Sequence, residues 1–96
     1  MNSLQNIQNT LENHKRRLFE KYPLKSMAIF GSYGRGDQND KSDLDILVEF
    51  SDPIGIRFID LADELEKILQ QKVDLVSRKG VKEKYLNSIT PDLIYV

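Results

Sequence analysis

The sequence predicts an α/β layered domain, because segments with helical and strand periodicity follow one another along the chain. Two long segments repeat apolar residues at steps of three and four, as an amphipathic helix does. Between and after them lie short apolar runs bounded by turn residues, which is the pattern of strands. The resulting order is helix, strand, loop, strand, helix, strand, helix, strand. At 96 residues with 40% hydrophobic content, the chain is expected to form a single domain over residues 1–96.

The first helix is predicted over residues 4–21. Its apolar face carries Leu4, Ile7, Leu11, His14 and Leu18. Ser3 is a suitable N-cap residue, and Pro23 sets the limit at the other end. We interpret His14 as a core or partner-facing residue, because the sequence has no second histidine and no cysteine to share a metal site.

Two strands are predicted next, over residues 26–30 and 43–50. The first is a short apolar run bounded by turn residues. In the second, side chains alternate between two faces. One face carries Leu44, Ile46, Val48 and Phe50, and the other carries Asp43, Asp45, Leu47 and Glu49. One face of this strand is therefore expected to pack on helices, while the other begins with acidic residues.

The second half of the chain predicts a helix over residues 56–71 and a strand over 72–77. The helical stripe consists of Phe58, Leu61, Leu65, Ile68 and Leu69. In the strand, Asp74 and Val76 share a face. Residues 80–89 are weakly helical in pattern. Residues 93–96 are interpreted as an edge strand that contributes to the core, with contact to a partner as the alternative.

Composition limits the classes of partner. The chain carries 14 basic and 15 acidic residues, a net charge of −1, which gives no general attraction to nucleic acid or to an anionic membrane. Any anion site must therefore be local. The absence of cysteine excludes disulfides and thiolate metal sites. The N-terminal segment lacks the apolar core of a signal peptide, and no window approaches the ~18 apolar residues of a membrane span, so a cytoplasmic location is expected.

Asp43 and Asp45 form the first part of a candidate site. Residues two apart in a strand project from the same face with Cα atoms roughly 6.5–7 Å apart, so the two carboxylates can converge on one or two cations. Magnesium suits such a pair, because it prefers oxygen ligands and completes its shell with water and substrate phosphates. The ligands that the pair lacks would then come from a nucleotide.

Gly31 and Ser32 supply the complementary part. A glycine directly after a strand lets the backbone turn close to a ligand, and the backbone N–H groups that follow can bind phosphate if they open a short helix. Ser32 adds a hydroxyl donor, and Arg35 adds a positive charge that can contact phosphate. Taken singly, a Gly-Ser turn or an aspartate pair is more often only a turn or a cap. A simple turn or cap does not explain why a Gly-Ser turn, an aspartate pair and a further strand aspartate at position 74 occur together.

The spacing GSx10DxD, here Gly31-Ser32 followed by Asp43 and Asp45, resembles the signature of the polymerase-beta-type nucleotidyltransferase superfamily. The fuller pattern GSYGRG…SDLDILV resembles its minimal members, which are about this long. The resemblance implies a small mixed β-sheet flanked by helices, with a nucleoside triphosphate such as ATP bound through magnesium. It also implies transfer of a nucleotidyl group to a hydroxyl.

Carried over by position, the resemblance makes Asp43, Asp45 and Asp74 the catalytic, metal-binding carboxylates of a two-ion site. Gly31 and Ser32 would contact the phosphates, with Arg35 offsetting charge on the leaving pyrophosphate. One departure is visible, since the family commonly has alanine where this chain has Gly34. In a helical turn glycine costs about 0.5–1 kcal/mol relative to alanine, so a looser turn with unchanged catalytic groups is expected.

The best-known setting of such minimal members is a toxin–antitoxin pair, in which the nucleotidyltransferase attaches AMP to a tyrosine of a HEPN-domain ribonuclease toxin. The resemblance implies that this chain forms a hetero-oligomer with such a toxin and acts as its antitoxin. The alternative is a non-catalytic antitoxin that neutralises the toxin by complex formation. Intact carboxylates weigh against it, because a steric inhibitor has no need to hold like charges together. A small-molecule transferase is disfavoured by the short chain, which leaves no room for extra helices around an acceptor.

Overall fold

A computed structural model describes residues 3–96, and its elements follow the predicted order. The helices are α1 (Leu4–Lys21), α2 (Gly31–Arg35), α3 (Arg57–Leu69) and α4 (Glu83–Ile89), and the strands are β1 (Leu24–Phe30), β2 (Leu44–Phe50), β3 (Val73–Ser77) and β4 (Ile94–Tyr95). Short 3₁₀ turns occupy Arg78–Gly80 and Thr90–Asp92. The α/β fold is therefore confirmed, with β1 two residues longer at its start and α3 shorter at both ends than predicted.

Helix α1 has the predicted bounds for the predicted reasons. Ser3 Oγ accepts a hydrogen bond from the backbone N–H of Asn6 at 3.1 Å, which caps the first turn. Tyr22 is extended, so the helix ends directly before Pro23. His14 is half-buried, and its Nδ1 lies 2.9 Å from the carbonyl oxygen of Thr10, a contact within its own helix.

The four strands form one mixed sheet in the order β3-β2-β1-β4. Strand β1 is antiparallel to both β2 and β4, whereas β2 and β3 are parallel. Consequently the end of β1 and the starts of β2, β3 and β4 all lie at one end of the sheet, which we call the site end. Each functional residue predicted from the sequence is at or beside this end.

Both faces of the sheet are covered, one by a larger and the other by a smaller cluster of buried side chains. On the larger side, Leu44, Ile46 and Val48 are fully buried against α1 and α3. On the smaller side, Phe30, Leu47 and Ile89 form a second buried cluster, to which Leu86 of α4 adds a half-buried side chain. The predicted alternation along β2 is therefore confirmed, because Leu44 and Leu47 lie in different clusters.

A hydrogen-bonded cluster around Glu64 joins α3 to the end of α1. Its carboxylate accepts from Lys21 Nζ at 2.8 Å and from the Tyr22 hydroxyl at 3.0 Å, and lies 3.4 Å from Arg17 Nη2. The hydrogen bond from Lys21 is the main reason that the pKa of Glu64 is lowered. Burial, together with Glu64, raises the pKa of Tyr22 to about 12. Both shifts favour the hydrogen-bonded pair of a carboxylate and a neutral phenol.

The C-terminal segment is an edge strand, as the preferred interpretation of residues 93–96 had it. Ile94 pairs with Ile29 across β1, and the N–H of Val96 donates to the carbonyl of Met27 at 3.0 Å. Ile94 and Val96 pack on the larger core, whereas the Tyr95 side chain points outward and is 58% exposed. Within residues 3–96, none of the helices has the length and apolar character needed to cross a membrane.

Candidate active site

The site end of the sheet brings the predicted acidic residues together around Asp45. In the sheet register, Asp45 pairs with Phe30 of β1 on one side and with Asp74 of β3 on the other. Asp43 directly precedes β2, two residues before Asp45. Asp45 is half-buried, while Asp43 and Asp74 are exposed. The strand register therefore places a partly buried carboxylate beside two solvent-facing ones.

Gly31 makes the closest approach to this acidic group. It follows β1 directly and has φ +70°, a left-handed conformation that glycine adopts without penalty. A methyl group on Gly31 would overlap Oδ2 of Asp45 and lie 3.1 Å from its Cγ. The turn thus needs glycine for two reasons, its backbone angle and the adjacent carboxylate. It also brings the first residue of α2 directly beside Asp45.

Helix α2 is the short helix expected after the Gly-Ser pair. Tyr33 anchors it, because its ring is buried in the larger core and its hydroxyl accepts a hydrogen bond from Gln71 Nε2 at 3.2 Å. The carbonyl of Ser32 accepts N–H bonds from Gly36 and Asp37, which closes the turn. The first N–H groups of any helix have no partner within the helix, and here they begin next to Asp45.

Partial burial and the neighbouring charges act together on Asp45. Partial burial, the charge of Asp74, a hydrogen bond with Asp74 and the charge of Asp43 all raise its pKa, to about 6, while Arg35 acts in the opposite direction. The carboxylates of Asp43 and Asp74 therefore oppose the ionisation of Asp45, which lies between them in one acidic site. A cation bound among them would remove this repulsion.

The carboxylates fit a hard cation in chemistry, although they do not form a preformed cage. In the described part of the chain, no three histidine, cysteine, aspartate or glutamate side chains are already arranged to hold a metal ion. Asp43, Asp45 and Asp74 nevertheless offer the oxygen donors that Mg²⁺ prefers, and Mg²⁺ is usually held by one or two carboxylates together with substrate phosphates. The strand register, which places Asp45 beside Asp74 with Asp43 two residues before it, is the observation that supports this fit.

Arg35 ends α2 and is held by two carboxylates that sequence reasoning did not identify. Its Nε lies 3.2 Å from Asp37 Oδ2, and its Nη1 lies 3.5 Å from Asp92 Oδ2. Hydrogen bonding to Asp37, with a smaller contribution from Asp92, raises the pKa of the guanidinium further. Arg35 also lowers the pKa of Asp45, so its charge reaches the acidic site. Asp92 could not be identified from the sequence, where it is only an acidic residue just before the last strand.

The expectation for Gly34 was wrong in its consequence. A methyl group at this position would overlap the carbonyl oxygen of Asp92 and lie 3.2 Å from its carbonyl carbon. Glycine here lets α2 pack directly on the Thr90–Asp92 turn. It therefore tightens the turn against the C-terminal segment and does not loosen it.

An open cleft of about 660 Å³ adjoins Asp43 on the side of the β2 and β3 starts. Tyr33, Ser42 and Gln71 contribute to its walls, and Lys41 and Lys72 bring positive charge. The sequence did not predict this cleft, because its walls come from three separate segments of the chain. It offers polar, partly cationic space immediately next to the acidic site.

The mixed four-stranded sheet with a Gly-Ser turn packed on a strand aspartate fits the nucleotidyltransferase-type domain that the sequence predicts, and comparison with known proteins agrees. Residues 11–95 match the family described as the nucleotidyltransferase domain, and the chain belongs to that family. Within it, the chain is one of the MntA-like minimal nucleotidyltransferases, which are protein adenylyltransferases.

Two relatives show how close this relationship is. A Methanocaldococcus jannaschii protein, provisionally assigned as a protein adenylyltransferase, is 49% identical and covers the whole of both chains. The protein adenylyltransferase MntA of Thermococcus cleftensis is 36% identical over all of this chain and 98% of its own length. The similarity therefore extends over the full length and is not confined to a motif.

Two solved complexes share the fold. A structure of a tri-AMPylated Shewanella oneidensis HEPN toxin with its MNT antitoxin matches with a TM-score of 0.66 and 25% identity, over 93% of this chain and 70% of the matched one. A toxin–antitoxin structure with AMP-PNP matches with a TM-score of 0.61 and 34% identity, over 74% of this chain and 60% of the matched one. The fold is thus found in toxin–antitoxin complexes, one of which contains an ATP analogue.

Proposed function

We propose that this chain is a magnesium-dependent enzyme that transfers AMP from ATP to a tyrosine hydroxyl of a partner HEPN-domain ribonuclease toxin, and that it acts as the antitoxin of that toxin. Membership of the MntA-like adenylyltransferases supports the reaction type. The Shewanella complex supports the acceptor, since its HEPN toxin is AMPylated and bound to an MNT antitoxin. The AMP-PNP complex supports ATP as the donor.

The observation that carries the proposal is the contact between Gly31 and Asp45. Phosphate-binding turns and metal-binding carboxylates serve one reaction only when they lie side by side. A side chain at Gly31 would overlap the Asp45 carboxylate, and Asp45 is in register with Asp74. A triphosphate on the turn would therefore have its α-phosphorus within reach of the carboxylates.

Asp43 and Asp45 are the residues that would hold magnesium, with Asp74 as a third ligand. When bound, the ions supply positive charge for the attacking and leaving oxygens of the displacement. Asp45 is the central ligand, because its carboxylate is the one that interacts with both of the others. Its partial burial fixes its position, whereas Asp43 and Asp74 are open to a substrate arriving from solvent.

The turn and Arg35 would orient the triphosphate. The backbone N–H groups at the start of α2 and the Ser32 hydroxyl are donors for the phosphate oxygens. Arg35 retains N–H donors besides the two that contact Asp37 and Asp92, since a guanidinium has five. Its positive charge would offset the charge that develops on the departing pyrophosphate.

Asp74 is the candidate to receive the acceptor's proton. In the reaction, the hydroxyl oxygen bonds to the α-phosphorus of ATP while the bond to the bridging oxygen of pyrophosphate breaks. The hydroxyl proton must leave at the same time, and an exposed carboxylate at the acidic site is the suitable base. Asp45 is a poorer choice, because it is partly buried and serves as the central ligand.

The acceptor tyrosine would be presented by a folded partner. The described residues 3–96 form one sheet with its flanking helices, and the acidic site lies at the exposed end of that sheet. The 660 Å³ cleft beside Asp43 gives an approach for a side chain. A docked toxin would cover this end, exclude water and hold its tyrosine near Asp74.

The test uses the neighbouring gene product as acceptor. The chain is incubated with that protein, Mg²⁺ and ATP labelled on the α-phosphate, and label transfer is followed with the wild type, Asp43→Asn and Asp45→Asn. We expect transfer with the wild type that is lost in both variants and when Mg²⁺ is chelated. Transfer that survives both substitutions would exclude the proposed site. Tight complex formation without any transfer would favour a non-catalytic antitoxin.

A further inference from the structure

We propose that Asp92 is a positioning residue that holds Arg35 and the α2 turn in their nucleotide-binding arrangement. This inference deepens the proposed function and rests on it for the role of Arg35. It assigns a task to the Thr90–Asp92 turn, which lies outside the sequence motif. Through Asp92, the segment that leads into β4 would thereby stabilise the phosphate-binding turn that follows β1.

Asp92 contacts α2 through two different groups. Its side-chain Oδ2 lies 3.5 Å from Arg35 Nη1, and its backbone carbonyl is packed against Gly34 so closely that no side chain fits there. The two contacts are with successive residues of α2. Together they restrain both the backbone of the turn and the direction of the arginine at its end.

Asp37 cannot serve the same purpose. It makes the shorter contact with Arg35, at 3.2 Å, but it lies two residues further along the same turn and its side chain is 61% exposed. The Asp92 side chain is 21% exposed, so its contact is less screened by solvent. Of these two partners, Asp92 is the one that links Arg35 to another element.

The position of Asp92 is itself fixed by the sheet. Ile94 pairs with Ile29, one residue before the end of β1, and the N–H of Leu93 donates to the carbonyl of Thr90 at 3.2 Å. Leu93 and Ile94 pack on the smaller and the larger core respectively. Asp92 is thus followed directly by two anchored residues, so it can act as a rigid support for α2.

The test compares Asp92→Asn with Asp37→Asn and with Asp52→Asn, an exposed carboxylate in the loop after β2 that serves as the charge-matched control. For Asp92→Asn we expect the KM for ATP and the Kd of a fluorescent ATP analogue to rise roughly three- to tenfold, since one ion pair at a partly covered position is lost. The kcat should change less. Asp37→Asn should give a smaller effect, Asp52→Asn none, and Asp92→Glu should restore part of the affinity.

A double-mutant cycle distinguishes positioning from a general structural effect. If Asp92 acts through Arg35, Asp92→Asn should add little to the loss in Kd caused by Arg35→Gln. Additive losses would overturn the inference, and so would tighter binding in Asp92→Asn, because Asp92 would then be holding Arg35 away from the nucleotide.

Amide hydrogen exchange makes the inference testable without catalysis. In Asp92→Asn, exchange within residues 31–37 should accelerate several-fold while the core of α1 is unchanged. Unchanged exchange in residues 31–37 would refute the inference even if the enzyme is active. A wild type that neither binds ATP nor transfers AMP would refute the proposed function instead, and the exchange result would still decide the role of Asp92 in holding the turn.

Discussion

Replacing Gly31 with alanine separates the geometry of the turn from the stability of the fold. The residue has φ +70°, where a side chain costs about 1–2 kcal/mol. For a domain of this size, such a loss lowers the thermal midpoint by roughly 4–16 °C. In addition, the new methyl group would overlap Asp45 Oδ2, so the carboxylate must move. A displacement of about 1 Å at a reacting centre can cost about 100-fold in rate.

Two other glycines supply matched controls for Gly31→Ala. Gly55 has φ +60° and Gly36 has φ +82°, and a methyl group at either position would meet nothing within 4 Å. Gly55→Ala and Gly36→Ala should therefore show the same order of thermal destabilisation while retaining most AMP transfer. Thermal unfolding and the label-transfer assay are measured on all three variants. Transfer in Gly31→Ala that matches Gly55→Ala would refute the idea that close packing on Asp45 is needed for activity.

Three further outcomes are expected. Asp45→Asn should lower AMP transfer at least about 100-fold, yet raise the thermal midpoint at pH 7 without Mg²⁺. The pKa of Asp45 in the folded protein is raised to about 6, so the stability that protonated Asp45 contributes is full below its unfolded pKa and is lost as pH rises through about 6. The gain in thermal midpoint from the substitution should therefore vanish near pH 4. Mg²⁺ should raise the midpoint of the wild type but not of the Asp43→Asn/Asp45→Asn double variant. Glu64→Gln should lower the free energy of unfolding by about 1–2 kcal/mol at pH 7, as measured by denaturant titration. Because the pKa of Glu64 is lowered in the folded protein, this difference should shrink as pH falls below the unfolded pKa of Glu64.

Local patterns predicted the elements well, and tertiary contacts set the ends that were missed. Strand β1 begins at Leu24 because it pairs with Phe50 across an irregularity in the β1–β2 register, a contact that the sequence does not reveal. Helix α3 ends at Leu69 because Gln70 adopts a left-handed conformation, φ 56°. Glycine or asparagine is the usual residue there, so a glutamine does not mark a helix end, and the predicted helix ran to residue 71.

The candidate site likewise contains some residues that could be identified from the sequence and others that only the tertiary structure brings to the site. Gly31, Asp43 and Asp45 were identifiable because their relation depends on short-range spacing around two neighbouring strands. That Asp74 lies beside Asp45 was implied by family resemblance, and in the structure it follows from the parallel pairing of β2 with β3. Asp92 was not identifiable, because its contact with Arg35 arises only when β4 pairs with β1. The meaning of Gly34 was missed for the same reason.

The topology explains how four segments of the candidate site come together, and why this has a cost in stability. One strand ends and three strands begin at the site end, so the Gly-Ser turn, the two aspartate strands and Asp92 all meet there. The parallel register also places Asp45 beside Asp74, and partial burial together with the charge of Asp74 raises the pKa of Asp45. Removing that charge should stabilise the free protein and abolish its chemistry, as strained functional sites commonly behave. A divalent cation bound as proposed would offset this repulsion, so the same charges that destabilise the free fold would favour the metal-loaded enzyme.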